Sequence, residues 1–522
     1  MWVPLTPLDF YRRSRRLFAR KCGVVDQERR LSFGEFGNRV ERLAGALRTM
    51  GLKPKERVST LTPNSHHLLE GFYGIPLAGG VINPVNPRLA PLEIAQLLND
   101  AGSRILCFHK EFTPIVRHIL GNLKMVEQFV ILEGDPRTLD FPAVEYDTLL
   151  ERATPYTPDL AGLDEDAPMA HFYTTGGMVE PHGVLLSHRT LALHALYAVI
   201  AHGLREEDVS LCSVPFSYMN GGGNPQVNLA VASTSVIARR NDPETLLRLV
   251  EGERVTVWIT TPMVLRRLLA SPQLDQSNLS SLRLILSGGA PLSLAMVREV
   301  EKRIGCRCVQ VYGLTETSPT VTAAFPKQTT APEDRQRCQA TSGLPILGVE
   351  VAVVNPESGH EVPADGETVG EILVRGNGVM TGYARDPEAT QEALRGGWLH
   401  TGDLATVDQE GYLTITGHKK DVVLVGGMSV SAKEIEATLA SHPDIVQCTV
   451  IASIDPERGE APIGLVVLRN DARVTERDLI DYAKERLAWF KVPRSIQFLG
   501  SLPMTESGEV LKSELRTFYA NP

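Results

Sequence analysis

The sequence is short of positive charge, of cysteine and of long apolar runs, and each shortage closes a class of function. With 53 Lys and Arg against 62 Asp and Glu, the formal net charge is −9, so the concentrated basic face with which nucleic-acid binders meet phosphate is missing. The one basic cluster, Arg12-Arg13 with Arg15-Arg16 in FYRRSRRLFARK, reads as the solvated face of an N-terminal helix. No apolar stretch is long enough to span a bilayer, and the first residues lack the apolar core of a signal peptide. Seven cysteines scattered over 522 residues include no C-x-x-C pair, which argues against a disulfide framework or zinc site and for a reducing cytoplasm. Cys306 and Cys308, in GCRCVQVYG, share one face of an apparent strand and read as buried packing.

What is there is an ordinary balance of apolar and charged residues in a chain long enough for roughly two to four folding units. From about Arg57 to Tyr312, short β-branched or apolar runs (RVSTL, RILCF, QFVIL, DVSLCSV, TSVIA, VTVWIT, LRLILS) alternate with helical patterns. That alternation predicts parallel strands joined by helices, an α/β fold whose ligands sit in loops at the carboxyl ends of strands. Between Thr341 and His418 the runs VEVAVVNPESGHEVP and GEILVRG alternate like hairpin strands and predict a β-rich subdomain. No internal repeat or low-complexity segment is present.

Three loops fit the position of a ligand site. The first is HFYTTGGMVEPHGVLLSHRTLALHALY: a strand ending at Tyr173, a hydroxyl- and glycine-rich loop from Thr174, Thr175 and Gly176, then a helix starting near Ser187. Such loops bring backbone N–H groups close to phosphate oxygens. The second is LILSGGAPLSLAMVREV, with Gly288-Gly289-Ala290-Pro291 between strand and helix, and the third is CVQVYGLTETSPT, where Val311-Tyr312-Gly313 ends a strand and Thr315-Glu316 follow. Singly, each is equally a plain turn; in this order and spacing they form a specific constellation.

On these loops, from LSFGEF at Leu31 to KSELR at Arg516, the chain resembles the superfamily of AMP-forming acyl-CoA synthetases, non-ribosomal peptide adenylation domains and luciferases. The resemblance implies a large N-terminal domain, residues 1–417, of two α/β subdomains plus the β-rich one. A hinge at 418–421 and a small mobile α+β lid, 422–522, would follow. It also implies two half-reactions. A carboxylic acid and MgATP give acyl-AMP and pyrophosphate; a thiol, usually coenzyme A, then takes the acyl group.

Position by position, the resemblance places Gly289-Ala290-Pro291 and Val311-Tyr312-Gly313 around the adenine, with the Tyr312 ring stacked on it. Thr315 would touch the α-phosphate, Glu316 would hold magnesium, and Asp403, in WLHTGDLA, would accept both ribose hydroxyls. In GYLTITGHKKDVVLVGGMSVSAKEIE, Lys420 falls at the hinge, and Gly426-Gly427 fall where the thiol must pass, a pair equally well read as a hairpin turn. The acyl pocket would be lined by Tyr218, Asn220, Gly221, Gly222 and Gly288, and the run Gly221-Gly222-Gly223 beside it is permissive of a bulky acid and equally well read as a plain loop.

The departures from the family pattern carry as much information. Where the family loop reads close to T-S-G-T-T-G-x-P-K-G, this chain has Thr174-Thr175-Gly176-Gly177-Met178-Val179-Glu180-Pro181-His182-Gly183. Met178 and Val179 offer no side-chain hydrogen bond, Val179 resists the backbone angles open to glycine, and His182 is only partly charged near neutral pH. His418 stands for the usual arginine of G-R-x-K-D, and Tyr218 for the usual histidine of P-L-F-H-x-x-G.

Glu509, in LPMTESGEVLKSELR, occupies the place of the lysine that bridges the substrate carboxylate and the α-phosphate during adenylation. Exchanging cation for anion removes one attraction and adds one repulsion, each about 4 kcal/mol at ~4 Å and an effective dielectric near ~20. Lys512 lies where relatives already carry a basic residue and does not replace it.

The sequence therefore leads to an acyl-CoA ligase-type enzyme specialised to the second half-reaction, acyl-adenylate plus coenzyme A to acyl-CoA plus AMP. It would use ATP weakly or not at all, with a separate adenylating ligase as partner. By its missing lysine it resembles the non-adenylating acyl-CoA ligases of platensimycin-type diterpenoid (antibiotic) pathways. A complete ATP-dependent ligase and a non-catalytic acyl-AMP-binding subunit stay open as alternatives.

Overall fold

The structure, a computed structural model, describes residues 3–174, 182–419, 422–469, 472–503 and 510–520. The chain folds into two compact units. The larger comprises Met1–Pro87 with Leu98–Tyr173 and Gly183–Gly417, and the smaller Arg88–Leu97 with Thr174–His182 and His418–Pro522.

Two sheets carry the larger unit. Among the described residues the first has nine strands, and its centre is parallel: Arg307–Gly313, Leu284–Ser287, Val257–Thr260, Val209–Cys212, Thr234–Ile237 and Cys22–Asp26 in spatial order. LILS is buried at every position because helices cover both faces, and such strands read as continuous apolar runs. Ser287, the last residue of its strand, pairs with Gln310, and the neighbouring strand runs on past it to Gly313. The second sheet is likewise parallel through Val81–Pro84, Arg57–Leu61, Ser103–His109 and Gln128–Leu132.

One difference from the sequence reading concerns the glycine-rich loop. The strand Pro168–Thr174 precedes it, but a further strand, His182–Ser187, stands between loop and helix. Ser187 then caps the helix His188–His202, accepting a hydrogen bond from Thr190 N, and Gly203 closes it in the left-handed region at φ +58°.

The β-rich segment is an antiparallel sheet of Val349–Val354, Gly370–Gly376, Leu399–Val407 and Leu413–His418. In the smaller unit, Val422–Val425, Met428–Ser431, Ile445–Asp455, Gly459–Leu468 and Ser495–Phe498 form another sheet, accompanied by helices Ala432–Ala440, Glu476–Lys484 and Lys512–Tyr519. The chain is thus a mixed α/β protein with a large N-terminal and a small C-terminal domain.

All seven cysteines are unpaired. Cys306 and Cys308 lie in an apolar core, where burial pushes the Cys306 thiol up to about 12. In the N-terminal helix Leu8–Leu17, Arg13 and Arg16 are exposed, whereas Arg15 pairs with Glu41 and Arg12 donates to Pro158 O. Among the described residues no helix is long and apolar enough to cross a membrane.

Candidate active site

The strand Arg307–Gly313 delivers Tyr312 to its carboxyl end, and the strand Leu399–Val407, within WLHTGDLA, delivers Asp403 opposite it. Tyr312 Oη donates to Asp403 Oδ2 at 2.7 Å. Burial, then the charge of Asp403, pushes the phenol well above its ordinary pKa, so Tyr312 stays a donor. Asp403 N donates in turn to Thr401 Oγ1 (3.1 Å), which itself donates to Ile372 O (2.7 Å), fixing the backbone that aims the carboxylate.

The neighbouring loop Gly288-Gly289-Ala290-Pro291 is held against the same strand. Leu292 N donates to Gln310 Oε1 at 2.5 Å, and Gly289 has φ +83°. Beyond Gly313 the chain makes a short 3-10 turn, Thr315–Thr317, which leaves Glu316 buried with Tyr383 Oη donating to its Oε1 at 3.0 Å. Among the described residues no group of three or more His, Cys, Asp or Glu gathers to cage a metal. Glu316 alone fits magnesium, which commonly takes one or two carboxylates and completes its shell with substrate phosphate and water.

Next to these elements is a cavity of about 600 Å³, counting its open mouth. Of the residues singled out in the sequence, Asn220, Gly288, Gly289, Val311, Tyr312 and Gly313 line it. Gly221 and Gly222 are buried in the short helix Met219–Gly222 and are not lining residues; Gly223 is one. Tyr218 accepts a hydrogen bond from Asn86 Nδ2 at 2.8 Å. The sequence reading missed His194, His202 and Thr260, which also line the cavity. In HRTLALHALYAVIAH, His194, Ala198 and His202 recur at helical spacing on one face, a pattern that packed histidines show equally.

In the smaller unit, Gly426 and Gly427 form the two-residue turn between Val422–Val425 and Met428–Ser431, with φ +60° and +82°. Positive φ at both central positions is the hairpin turn that favours glycine. Lys512 Nζ is held by Glu436 Oε1 at 2.7 Å. Thr174 ends its strand, while Thr175, Gly176, Lys420 and Glu509 lie outside the described residues, as does the side chain of His418.

Known proteins resemble this chain in sequence and fold. The profile of the AMP-binding enzyme family matches residues 11–384, and that of the AMP-binding enzyme C-terminal domain matches 434–509. The chain belongs to the AMP-binding enzyme family. Among its relatives are a long-chain-fatty-acid–CoA ligase of Thermus thermophilus, 34% identical over 98% of this chain and 95% of that one, and a peroxisomal benzoate–CoA ligase of Arabidopsis thaliana, 32% identical over 98% and 93%. Among solved structures, the amide bond synthetase McbA of Marinactinospora thermotolerans superposes with a TM-score of 0.87 at 28% identity, covering 98% of this chain and 100% of that one. The chain is accordingly an enzyme of acyl-CoA ligase type.

Proposed function

We propose that this ligase works chiefly on the second half-reaction, taking a preformed acyl-adenylate and transferring the acyl group to coenzyme A. The observation that carries the proposal is Glu509 in the place of the adenylating lysine, together with Met178, Val179 and His182 in the phosphate loop. Both changes fall on the half-reaction that binds triphosphate and expels pyrophosphate. Even half of one lost ion-pair interaction at position 509 corresponds to more than a tenfold fall in rate.

The residues suited to the second half-reaction are intact. Tyr312, Asp403 and the loop 288–291 suit the adenosine monophosphate portion. In the transfer, the coenzyme A thiolate attacks the acyl carbon, a C–S bond forms, the C–O bond to phosphate breaks, and AMP leaves with the electron pair. That step needs orientation more than a cation at position 509. A separate adenylating ligase would supply the substrate. The missing lysine likens the chain to diterpenoid-pathway ligases of this kind, and its unpaired cysteines fit a cytoplasmic setting.

A second reading, a complete ATP-dependent ligase, is favoured by relatives named as CoA ligases that align over nearly the full length. The deciding experiment supplies purified protein with coenzyme A and either synthetic acyl-AMP or free acid plus MgATP, and follows thioester by mass spectrometry. Thioester from acyl-AMP alone is the expected result. Equal thioester from both would overturn the proposal in favour of the complete ligase, and none from either would favour an acyl-AMP-binding subunit.

A further inference from the structure

The cavity beside the proposed adenylate site is lined in part by buried residues with polar atoms that no described residue satisfies. His202 is 6% exposed and Thr260 1%, yet the two ring nitrogens of His202 and Thr260 Oγ1 have no hydrogen-bond partner among the described residues. Both residues line the cavity. Buried polar atoms without partners are destabilising, so the unpartnered ring nitrogens of His202 beside this space point to an occupant that completes one of them, whereas Thr260 shares the strand face of Trp258 rather than that of Ile259.

The helix His188–His202 orders the site along its length. His194 lies beside the strand end at Gly313: its Nε2 accepts a hydrogen bond from Thr320 N at 3.0 Å, and Thr320 pairs with Gly313 across the antiparallel strands. That bond places the His194 proton on Nδ1. His202 lies eight residues further along the same face, and at 1.5 Å per residue this is about 12 Å from His194 along the helix. Burial lowers His202 to about 4 and His194 to about 3, so both imidazoles are neutral at pH 7. A neutral imidazole offers an N–H donor on one ring nitrogen and a lone pair on the other, so a ligand hydroxyl can accept from the first or donate to the second. It does not stabilise a second carboxylate.

Resting on the acyl-adenylate reading above, we propose that His202 is a specificity determinant selecting an acid that carries an uncharged hydroxyl about 12 Å from its carboxyl end. The acid's apolar body would lie against Val227, Ile259 and Leu286, which line the cavity.

The test measures binding by calorimetry of two unreactive acyl-sulfamoyl adenosines that share a saturated arm spanning ~12 Å and end in either hydroxyl or methyl. For the unaltered protein the hydroxyl analogue is expected to bind about tenfold tighter, a difference of ~1.4 kcal/mol. His202→Leu should abolish that preference while still binding the methyl analogue, and His202→Gln, which keeps a donor and an acceptor, should recover part of it. Equal affinity of the unaltered protein for both analogues, or a preference that survives His202→Leu, would overturn the inference and leave the acyl-adenylate reading standing. Failure of both analogues to bind the unaltered protein would instead overturn that reading, and this inference with it.

Discussion

Tyr312 and Asp403 share a hydrogen bond but would do separable jobs, and substitution can tell them apart. Tyr312→Phe keeps an aromatic ring at the strand end and removes the bond to Asp403 Oδ2. A neutral donor to a carboxylate contributes about 1.5–3 kcal/mol, partly replaceable by water at a site open to ligand. The KM for acyl-AMP should therefore rise about threefold to tenfold with kcat little changed. Asp403→Ala deletes the acceptor proposed for both ribose hydroxyls and takes from the Tyr312 hydroxyl its carboxylate partner; its KM should rise by about a hundredfold. Steady-state kinetics with acyl-AMP and coenzyme A would compare the two, and equal effects would refute the ribose role of Asp403.

Gly313 makes a different demand at the same strand end. A Cβ there would sit 1.6 Å from Pro319 O, a backbone atom that cannot swing aside. Gly313→Ala should displace the Thr315–Thr317 turn and lose most thioester formation. Near-normal activity in that variant would show that the position of Glu316 is not critical.

The helix His188–His202 contributes His194, Ala198 and His202 to the lining of the cavity. Ser187 caps its N-terminus through the side chain, so Ser187→Ala should cost ~1 kcal/mol in urea unfolding, whereas Ser187→Asn should cost little. A loss under about 0.3 kcal/mol for the alanine variant would mean the cap is redundant.

How much of such elements the sequence discloses depends on how many faces are buried. RVSTL and QFVIL, apolar runs bounded by polar residues, coincide with the strands Arg57–Leu61 and Gln128–Leu132. Two other strands escaped notice for physical reasons. VINP is four residues long and ends in proline, and HGVLLS runs straight into the cap of a helix whose longer pattern absorbs it. At the candidate site, the strand end at Tyr312-Gly313 was legible because glycine and hydroxyl residues interrupt an apolar run. His194 and His202 were not, since histidines on an otherwise apolar helix look the same in sequence whether they are packed or face a cavity. Only the empty space beside them distinguishes the two cases.

At the scale of the whole molecule, buried histidines set the response to acid. His67, His171, His188, His194 and His202 are each no more than 6% exposed, and burial lowers all five. His171 and His194 fall to about 3, and His188 and His202 to about 4. In the unfolded chain a histidine takes up its proton near ~6.5. Between about pH 6.5 and 4 the unfolded state therefore binds more protons than the native state, and stability rises with pH across that window and falls on acidification. Each fully neutral buried histidine would lose up to ~2 kcal/mol of its contribution by about pH 5. The carboxylates act lower. Arg239 and His109 hold Glu133 down to about 2, so its contribution is lost only once the pH drops below the ordinary glutamate range. The unfolding midpoint should thus fall steadily from about pH 6.5 to 5. Calorimetric unfolding near pH ~5.5, repeated in buffers of different ionisation enthalpy, should register uptake of several protons, and His202→Leu should reduce that uptake by close to one. A midpoint flat between about pH 7 and 5 would show that these imidazoles are already hydrated or charged in the native protein, and would remove the neutral His202 on which recognition of a hydroxylated acid depends.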